Sequence, residues 1–460
     1  MKFTKLSLVA AIAVSSVIAG GDIKPAEDVV VVEEVVSPWS FSGNAKFFYS
    51  TTDDDASNID LFSQDSAIGQ AAVSADVSYA FADTWKANVG LTGLATLGLD
   101  DHVVSGVWLY AGANAGNDPD GFTSVGDALW IDTANITGTA FDGKATFILG
   151  RTELDTPLAF TETWNIANNT FDAAVAMVKP VDALTLVAAY IYDGNGNGKR
   201  IDTMNGGFTG GDGYFPMGGV EEGAWTVAAI GTYDSVTAQA WYYDVVDIAQ
   251  AVWLQADANF DGFTIGGQYA YIDPSDLGDA MGADLSNYES SAFAAKIGYS
   301  KDAFDIWGAY SKVDEDGLVT ISNTATMLSG AGWGAASGYA SGQSKLYTEA
   351  WWNYGYVGLP GAETFAVAGS YKVMDDVKLT AQYTSISDAL FTLPALMAGE
   401  ENYSMDVDEF TAILDTSFYG IDLSLAYIYS DYTNNSLDPE VAAAGTYNNN
   451  TLQAYLTYNF

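Results

Sequence analysis

The chain has no cysteine and a single histidine, His102. A disulfide framework and metal–thiolate chemistry are therefore excluded. Bases are scarce: 16 Lys and Arg stand against 59 Asp and Glu, a formal charge of −43. Charged residues make up only 16% of the chain, below the roughly one quarter usual for soluble proteins, and there are only 10 prolines. No stretch beyond residue 19 approaches the roughly 20 apolar residues that a spanning helix needs. There is no Gly-x-Ser-x-Gly elbow, phosphate loop or metal pair, so nothing points to an enzyme.

What is present is apolar and aromatic. With 49% apolar and 13% aromatic residues the chain is no disordered acidic tail. Its start reads as an export signal over residues 1–19: Lys2 and Lys5 form a basic beginning, Leu6 to Ile18 an apolar run, and Val17, Ile18 and Ala19 a small-residue cleavage site before Gly20. Residues 20–38 follow as a periplasmic segment, either a tether ending at Pro38 or an added strand, with valines from Val29 to Val36 interrupted by Glu33 and Glu34.

From Trp39 to Phe460 the pattern has period two. Trp39, Phe41, Ala45 and Phe47 oppose Ser40, Ser42, Asn44 and Lys46; Val73, Val77 and Tyr79 oppose Ser74, Asp76 and Ser78. Successive side chains of a strand point to opposite faces, so these are amphipathic strands and not helices. Eighteen are expected, at 39–50, 67–81, 85–97, 128–140, 144–151, 171–178, 184–192, 224–233, 237–245, 251–259, 263–272, 291–300, 304–312, 365–373, 377–386, 409–418, 421–430 and 450–460. Segments 128–140, 144–151 and 171–178 alternate poorly, which leaves sixteen as the other count. Short turns such as Asp142-Gly143 and Asp261-Gly262 alternate with long loops. An even strand number with that asymmetry predicts an all-β, transmembrane antiparallel β-barrel with both ends in the periplasm. In a soluble sandwich the apolar faces would meet one another, whereas here they carry aromatics at girdle positions such as Tyr79, Trp85 and Tyr458.

The last strand resembles the closing strand of bacterial outer-membrane barrels. Leu452, Ala454, Leu456, Tyr458 and Phe460 share one face, and the resemblance implies that Tyr458 and Phe460 form the terminal assembly signal read by the barrel assembly machinery. A second resemblance rests on GRTELDTPLAFTETWNIANNTFDA, Gly150 to Ala173. Its elements Gly150-Arg151, Glu153 to Pro157 and Asn169 to Ala173 resemble porins of the epsilonproteobacterial branch of the OprD-like and major-outer-membrane-protein families. That implies an eighteen-stranded barrel, often a homotrimer, whose third long loop folds inward and sets the pore constriction.

Within that loop Arg151, Glu153, Asp155 and Glu162 are the candidate constriction residues. Three acids against one base would favour cations, or the same side chains tie the loop to the wall with Arg151 paired to Glu153 or Asp155. Lys46, Lys86, Lys296, Lys372 and Lys378, with Asp76, Asp257, Asp415 and Asp422, fall on the polar face and are expected on the lumen wall. Asp193, Asn195 and Asn197 imitate the opening of a calcium loop, but the twelfth position is Met204 where a bidentate Glu is needed. No cofactor is expected, and structural calcium is the one ion this pattern suggests. Asp100-Asp101-His102 is too small a cluster for a protease, and Trp333, Trp351 and Trp352 are expected to bury within their own loop. The expected partners are outer-membrane lipid and lipopolysaccharide, with no nucleic acid. The expected function is passive diffusion of ions and small hydrophilic solutes with weak cation selectivity. A substrate-specific channel for small organic acids and a surface adhesin with a closed pore are the rivals.

Overall fold

The computed structural model describes residues 37–53, 60–63, 66–96, 128–164, 166–195, 215–216, 222–276, 284, 286–323, 342–390, 404–436 and 445–460. The export signal and nearly all of the segment 20–38, Asp100 to His102, Asn197 and Trp333 lie outside these residues. Eighteen long strands form the wall: β1 Trp39–Thr52, β2 Ala67–Ala82, β3 Trp85–Thr96, β4 Ala128–Ala140, β5 Ala145–Thr152, β6 Phe171–Val181, β7 Leu184–Gly194, β8 Ala224–Tyr233, β9 Val236–Val245, β10 Ala249–Phe260, β11 Phe263–Asp273, β12 Ser290–Lys301, β13 Phe304–Val313, β14 Glu363–Met374, β15 Val377–Leu390, β16 Ser404–Phe418, β17 Ile421–Asn434 and β18 Tyr447–Asn459. A two-residue piece, Phe215–Pro216, pairs on the end of β7.

Each wall strand is antiparallel to the next, and β18 pairs with β1 from Asn44↔Asn459 to Thr52↔Thr451. The ring is closed, so no long sheet edge is left to pair with another chain. The poorly alternating segments are true wall strands, and eighteen is the count. Large apolar residues on the face that alternation assigned to lipid are exposed, among them Phe41 at 73% and Ile297 at 61%. The tight turns follow from backbone chirality: Asp261 and Gly262 both have positive φ, +50° and +88°, as a two-residue hairpin with right-twisted strands requires.

Two loops leave the wall and fill part of the lumen. The third long loop, L3, covers residues 153–170, and a later loop, L7, joins β13 to β14; its described parts are 314–323 and 342–362. L7 packs Leu318, Ile321, Leu346, Tyr347 and Val357 against the inner faces of β9 to β17, where Trp253, Ala270, Ala309 and Ala366 await it. Small and apolar residues on the inner face of these strands are thus explained by the loop that covers them. L3 contributes Leu154 and Ala159 to a second cluster with Ile148, Phe171 and Val175. An inward L3 was expected; the insertion of L7 was not.

Candidate pore constriction

L3 departs from the wall because β5 is short. Gly150 has φ +115°, and a Cβ there would lie 2.3 Å from the Ala134 carbonyl oxygen, so the turn inward requires glycine. Above the end of β5, Arg151 fills the gap: Nε and Nη2 donate to the two Asp172 carboxylate oxygens at 2.9 Å each, and Nη1 donates to the Ile131 carbonyl at 2.9 Å. Arg151 is a brace between β4 and β6, and its acid is Asp172, not Glu153 or Asp155. It brings no unmatched positive charge to the pore.

Beyond it L3 is a compact hairpin. Thr161 N–H donates to the Leu154 carbonyl at 2.8 Å, and Asn169 locks the base by accepting from Glu162 N–H at 2.7 Å and donating to the Phe160 carbonyl at 3.1 Å. Thr170 N–H donates to Asn195 Oδ1 at 2.8 Å. Asn195, the middle residue of the calcium-like pattern, thus spends that oxygen on anchoring L3. Among the described residues no group of three or more His, Cys, Asp or Glu side chains is arranged to hold a metal ion.

L3 and L7 meet inside the barrel. Phe160 N–H donates to Asn323 Oδ1 at 3.0 Å while Asn323 Nδ2 returns to the Phe160 carbonyl at 2.8 Å, so one amide imitates a strand partner. Lys345 on L7 forms an ion pair with Asp155 and sits 4.7 Å from the Phe160 ring centroid. Glu162 is buried at this junction, accepting from Asn323 Nδ2 and Gln343 N–H at 3.2 and 3.3 Å. It is a fastener rather than a pore-facing charge. L7 is fixed to the wall in turn: Tyr347 N–H donates to Gln268 at 3.0 Å, Tyr347 hydroxyl to Asp257 at 2.6 Å, and Gln382 Nε2 to the Glu349 carbonyl at 2.8 Å. Glu409 on β16 accepts from the backbone N–H groups of Trp351, Trp352 and Asn353, the last at 2.7 Å. The tryptophan pair is therefore tied to the barrel wall and not merely buried in its loop.

Two wall charges expected to face the lumen are covered as a result. Lys296 is buried with its ammonium 5.4 Å from the Trp307 ring and 5.7 Å from the Tyr347 ring, and Asp257 accepts from Tyr347 beside it. L7 seals both.

The opposite wall, β1 to β4, keeps its charges. Lys46 and Glu153 attract one another, and Glu153 also accepts from Asn168 Nδ2 at 2.7 Å. Burial pushes the Glu153 carboxyl above its ordinary range, with Asn168 and Lys46 opposing and Asp132 and Asp155 adding to the rise. The register slips between Gly90 and Leu91 on β3, where Thr133 and Ile131 are the partners, so Asp132 is the extra residue of a bulge on β4. A bulge re-aims side chains, and here it turns Asp132 toward Asp76. A Cβ on Gly90 would lie 2.4 Å from Asp132 Oδ1 and 2.5 Å from Asp76 Oδ1, so the glycine leaves a notch in which two carboxylates converge. Asp132 Oδ1 is buried without a hydrogen-bond partner.

Lys86, Lys372, Lys378, Asp415 and Asp422 lie toward the short-turn end. Lys372 is directly across from Lys378, which is across from Asp415. A cavity of about 610 Å³ there is lined by Asp305, Lys372, Lys378, Asp415, Asp422 and Tyr455. Tyr458 and Phe460 sit on the lipid face with ring centroids 6.2 Å apart.

Asp132, Asp172, Lys345, Glu349 and Glu409 were not singled out from the sequence. The loss of alternation in 128–140 was the trace of the bulge that aims Asp132. Lys345 was one of few bases in a long acidic chain, and nothing local marked it.

No family model matches the chain, and no curated protein matches it. Solved structures do. Acinetobacter baumannii OccAB4 superposes with a TM-score of 0.62 at 13% identity, covering 92% of this chain and 99% of that one. OccAB2 of the same organism gives 0.62 at 16%, covering 91% and 98%, and Pseudomonas aeruginosa OccK8 (OprE) gives 0.61 at 13%, covering 92% and 98%. The chain has the fold of these OprD-type outer-membrane channels. At such identities the likeness speaks for the fold, and the side chains at the constriction must be judged by their own geometry.

Proposed function

We propose that the protein is a passive pore of the outer membrane for ions and small hydrophilic solutes, weakly selective for cations, and that it catalyses no reaction. The observation that carries this reading is the meeting of L3 and L7 inside a closed barrel, beside a wall where carboxylates outnumber the free bases. Arg151 and Lys345 are each matched to an acid, and Asp76, Asp132 and Glu153 stand against Lys46, which faces Glu153, and Arg151, in whose field Asp132 lies. Fixed carboxylates at a narrow point lower the energy of cations and raise that of anions. The chain's large negative charge adds a longer-range field, screened over roughly 8–10 Å at physiological salt.

Kinship with the epsilonproteobacterial porins, a homotrimer, a cleaved signal at 1–19, contact with lipopolysaccharide, and recognition of Tyr458 and Phe460 by the assembly machinery belong to the same reading. The signal rests on Lys2, Lys5 and the apolar run Leu6 to Ile18, and the kinship, trimer and assembly signal rest on the resemblances of Gly150 to Ala173 and of the last strand. A second reading, a channel for small organic acids, is favoured by Lys372 facing Lys378 in the vestibule. Single-channel recording under a salt gradient separates the two. A reversal potential favouring potassium supports the first and one favouring chloride supports the second. A protein that never conducts overturns both.

A further inference from the structure

Three buried carboxylates hold L7 in place. Glu162 stands on L3, Glu349 on L7 and Glu409 on the wall, with relative exposures of 3%, 2% and 1%. Neighbouring residues of L7 join the first two: Gln343 N–H donates to Glu162, and Ser344 donates both N–H, at 3.1 Å, and hydroxyl to Glu349. Glu349 feels the charges of both other acids. Two tyrosines also face them: Tyr354 of L7, in the field of Glu162 and Glu349, and Tyr432 of β17, in the field of Glu409. Lys345 is paired with Asp155, and the Lys296 ammonium lies against the rings of Trp307 and Tyr347.

The three are not equally able to carry charge. Glu409 accepts from three consecutive backbone N–H groups, from Asn353 Nδ2 and from Thr411 hydroxyl, which suits an anion. Glu349 has the two donors of Ser344 and two like charges beside it. Burial first, and then Glu162 and Glu409, push its carboxyl well above the ordinary range, with Ser344 opposing. A carboxyl whose pKa is raised when L7 is seated favours the seated loop while protonated. That contribution is complete below the free carboxylate pKa and is lost as pH rises through the seated value.

We propose that Glu349 is a proton latch for L7: its protonation seats the loop against L3 and the wall, its ionisation loosens it, and the lumen narrows as pH falls. This rests on the pore reading, and its test has one arm that does not. In planar bilayers at pH 5 to 8, the full-length protein should show one small conductance level in acid and a larger level whose occupancy rises with pH. Glu349→Gln should hold the small level throughout. Oxidised Gln268→Cys/Tyr347→Cys, which bridges L7 to β11, should abolish the large level until reduced, although Glu349 is intact.

The independent arm is aqueous thiol labelling of Trp352→Cys in the otherwise native protein, scaled to the unfolded protein at each pH to remove thiol ionisation. The scaled rate should rise roughly tenfold for each 1.4 kcal/mol by which ionisation loosens the loop, and Glu349→Gln should flatten it. Labelling that rises while nothing conducts leaves the latch standing and removes the pore. A pH response identical in Glu349→Gln and the native protein, or none in the native protein, overturns the latch.

Discussion

The ring of Phe460, the last residue, lies over Gly43 of the first strand. A Cβ on Gly43 would come within 2.6 Å of the ring, and the two residues exchange backbone N–H···O bonds of 3.0 Å in both directions. The seam of the barrel is thus closed by backbone pairing and covered on the lipid side by one aromatic ring.

Gly43→Val should displace that ring and, with its Cβ 2.4 Å from the Ser74 carbonyl oxygen, also strain the pairing of β1 with β2, at a cost of roughly 1–3 kcal/mol typical of overpacking. Phe460→Ala removes the cover without the clash. Both variants should give less of the compact, faster-migrating species on unboiled detergent gels, with Gly43→Val the more severe. Normal compact yield from both would mean that the terminal ring has no part in closing the barrel.

The Gly90 notch makes a prediction about selectivity. Asp76→Asn and Asp132→Asn should each lower the cation preference read from the reversal potential, and the double variant should lower it further. Arg151→Gln should instead destabilise the wall around β5, because its guanidinium is spent on Asp172 and Ile131. A selectivity unchanged in the double variant would remove the notch from the conduction path.

The wall was legible because period two is a backbone property that every lipid-facing strand must honour, and strands such as 224–233 and 304–312 fall within one residue of their structural bounds. The constriction was legible only in part. L3 could be expected because Gly150 to Ala173 carries a motif, but the side chains in it have other partners: Arg151 braces the wall, Glu162 is buried at the junction with L7, Glu153 accepts from Asn168, and Asp155 pairs with Lys345. L7 left no periodic signature, since its hold on the barrel comes from contacts far apart in sequence, such as Asn323 with Phe160 and Trp351 with Glu409. For the same reason Lys296 and Asp257 read as lumen charges on strand parity alone, and no local pattern could show the loop above them.

Glu409→Ala tests the fastening of L7 directly. It leaves the backbone N–H groups of Trp351, Trp352 and buried Asn353, and the Asn353 amide, without their acceptor, a loss on the order of 3 kcal/mol or more. L7 should then leave the lumen and raise mean conductance with added noise, while the barrel, whose strand pairing is untouched, still assembles. Conductance and noise equal to the native protein would show that the loop is held without Glu409.

The last prediction concerns acid and charge selectivity. Glu153 lies outside the wall strands, beside Lys46, and burial raises its carboxyl above the ordinary range while Asn168 and Lys46 hold it back. It therefore takes up a proton at a higher pH than an exposed glutamate, and the loop pays no desolvation cost for the neutral form. By linkage the packing around Glu153 gains stability as pH falls through that raised value, and loses it as pH rises. Its charge in the pore follows the opposite course. Cation preference should decline as pH falls through the raised range of Glu153, and Glu153→Gln should show the lowered preference already at neutral pH with a flatter profile. Because Glu349 governs the seating of L7 in the same direction of pH, the two are separated by what is read: conductance steps report the loop, and the reversal potential reports Glu153. A reversal potential in Glu153→Gln that titrates like the native protein would move the acid sensitivity to Asp76 and Asp132 on the wall.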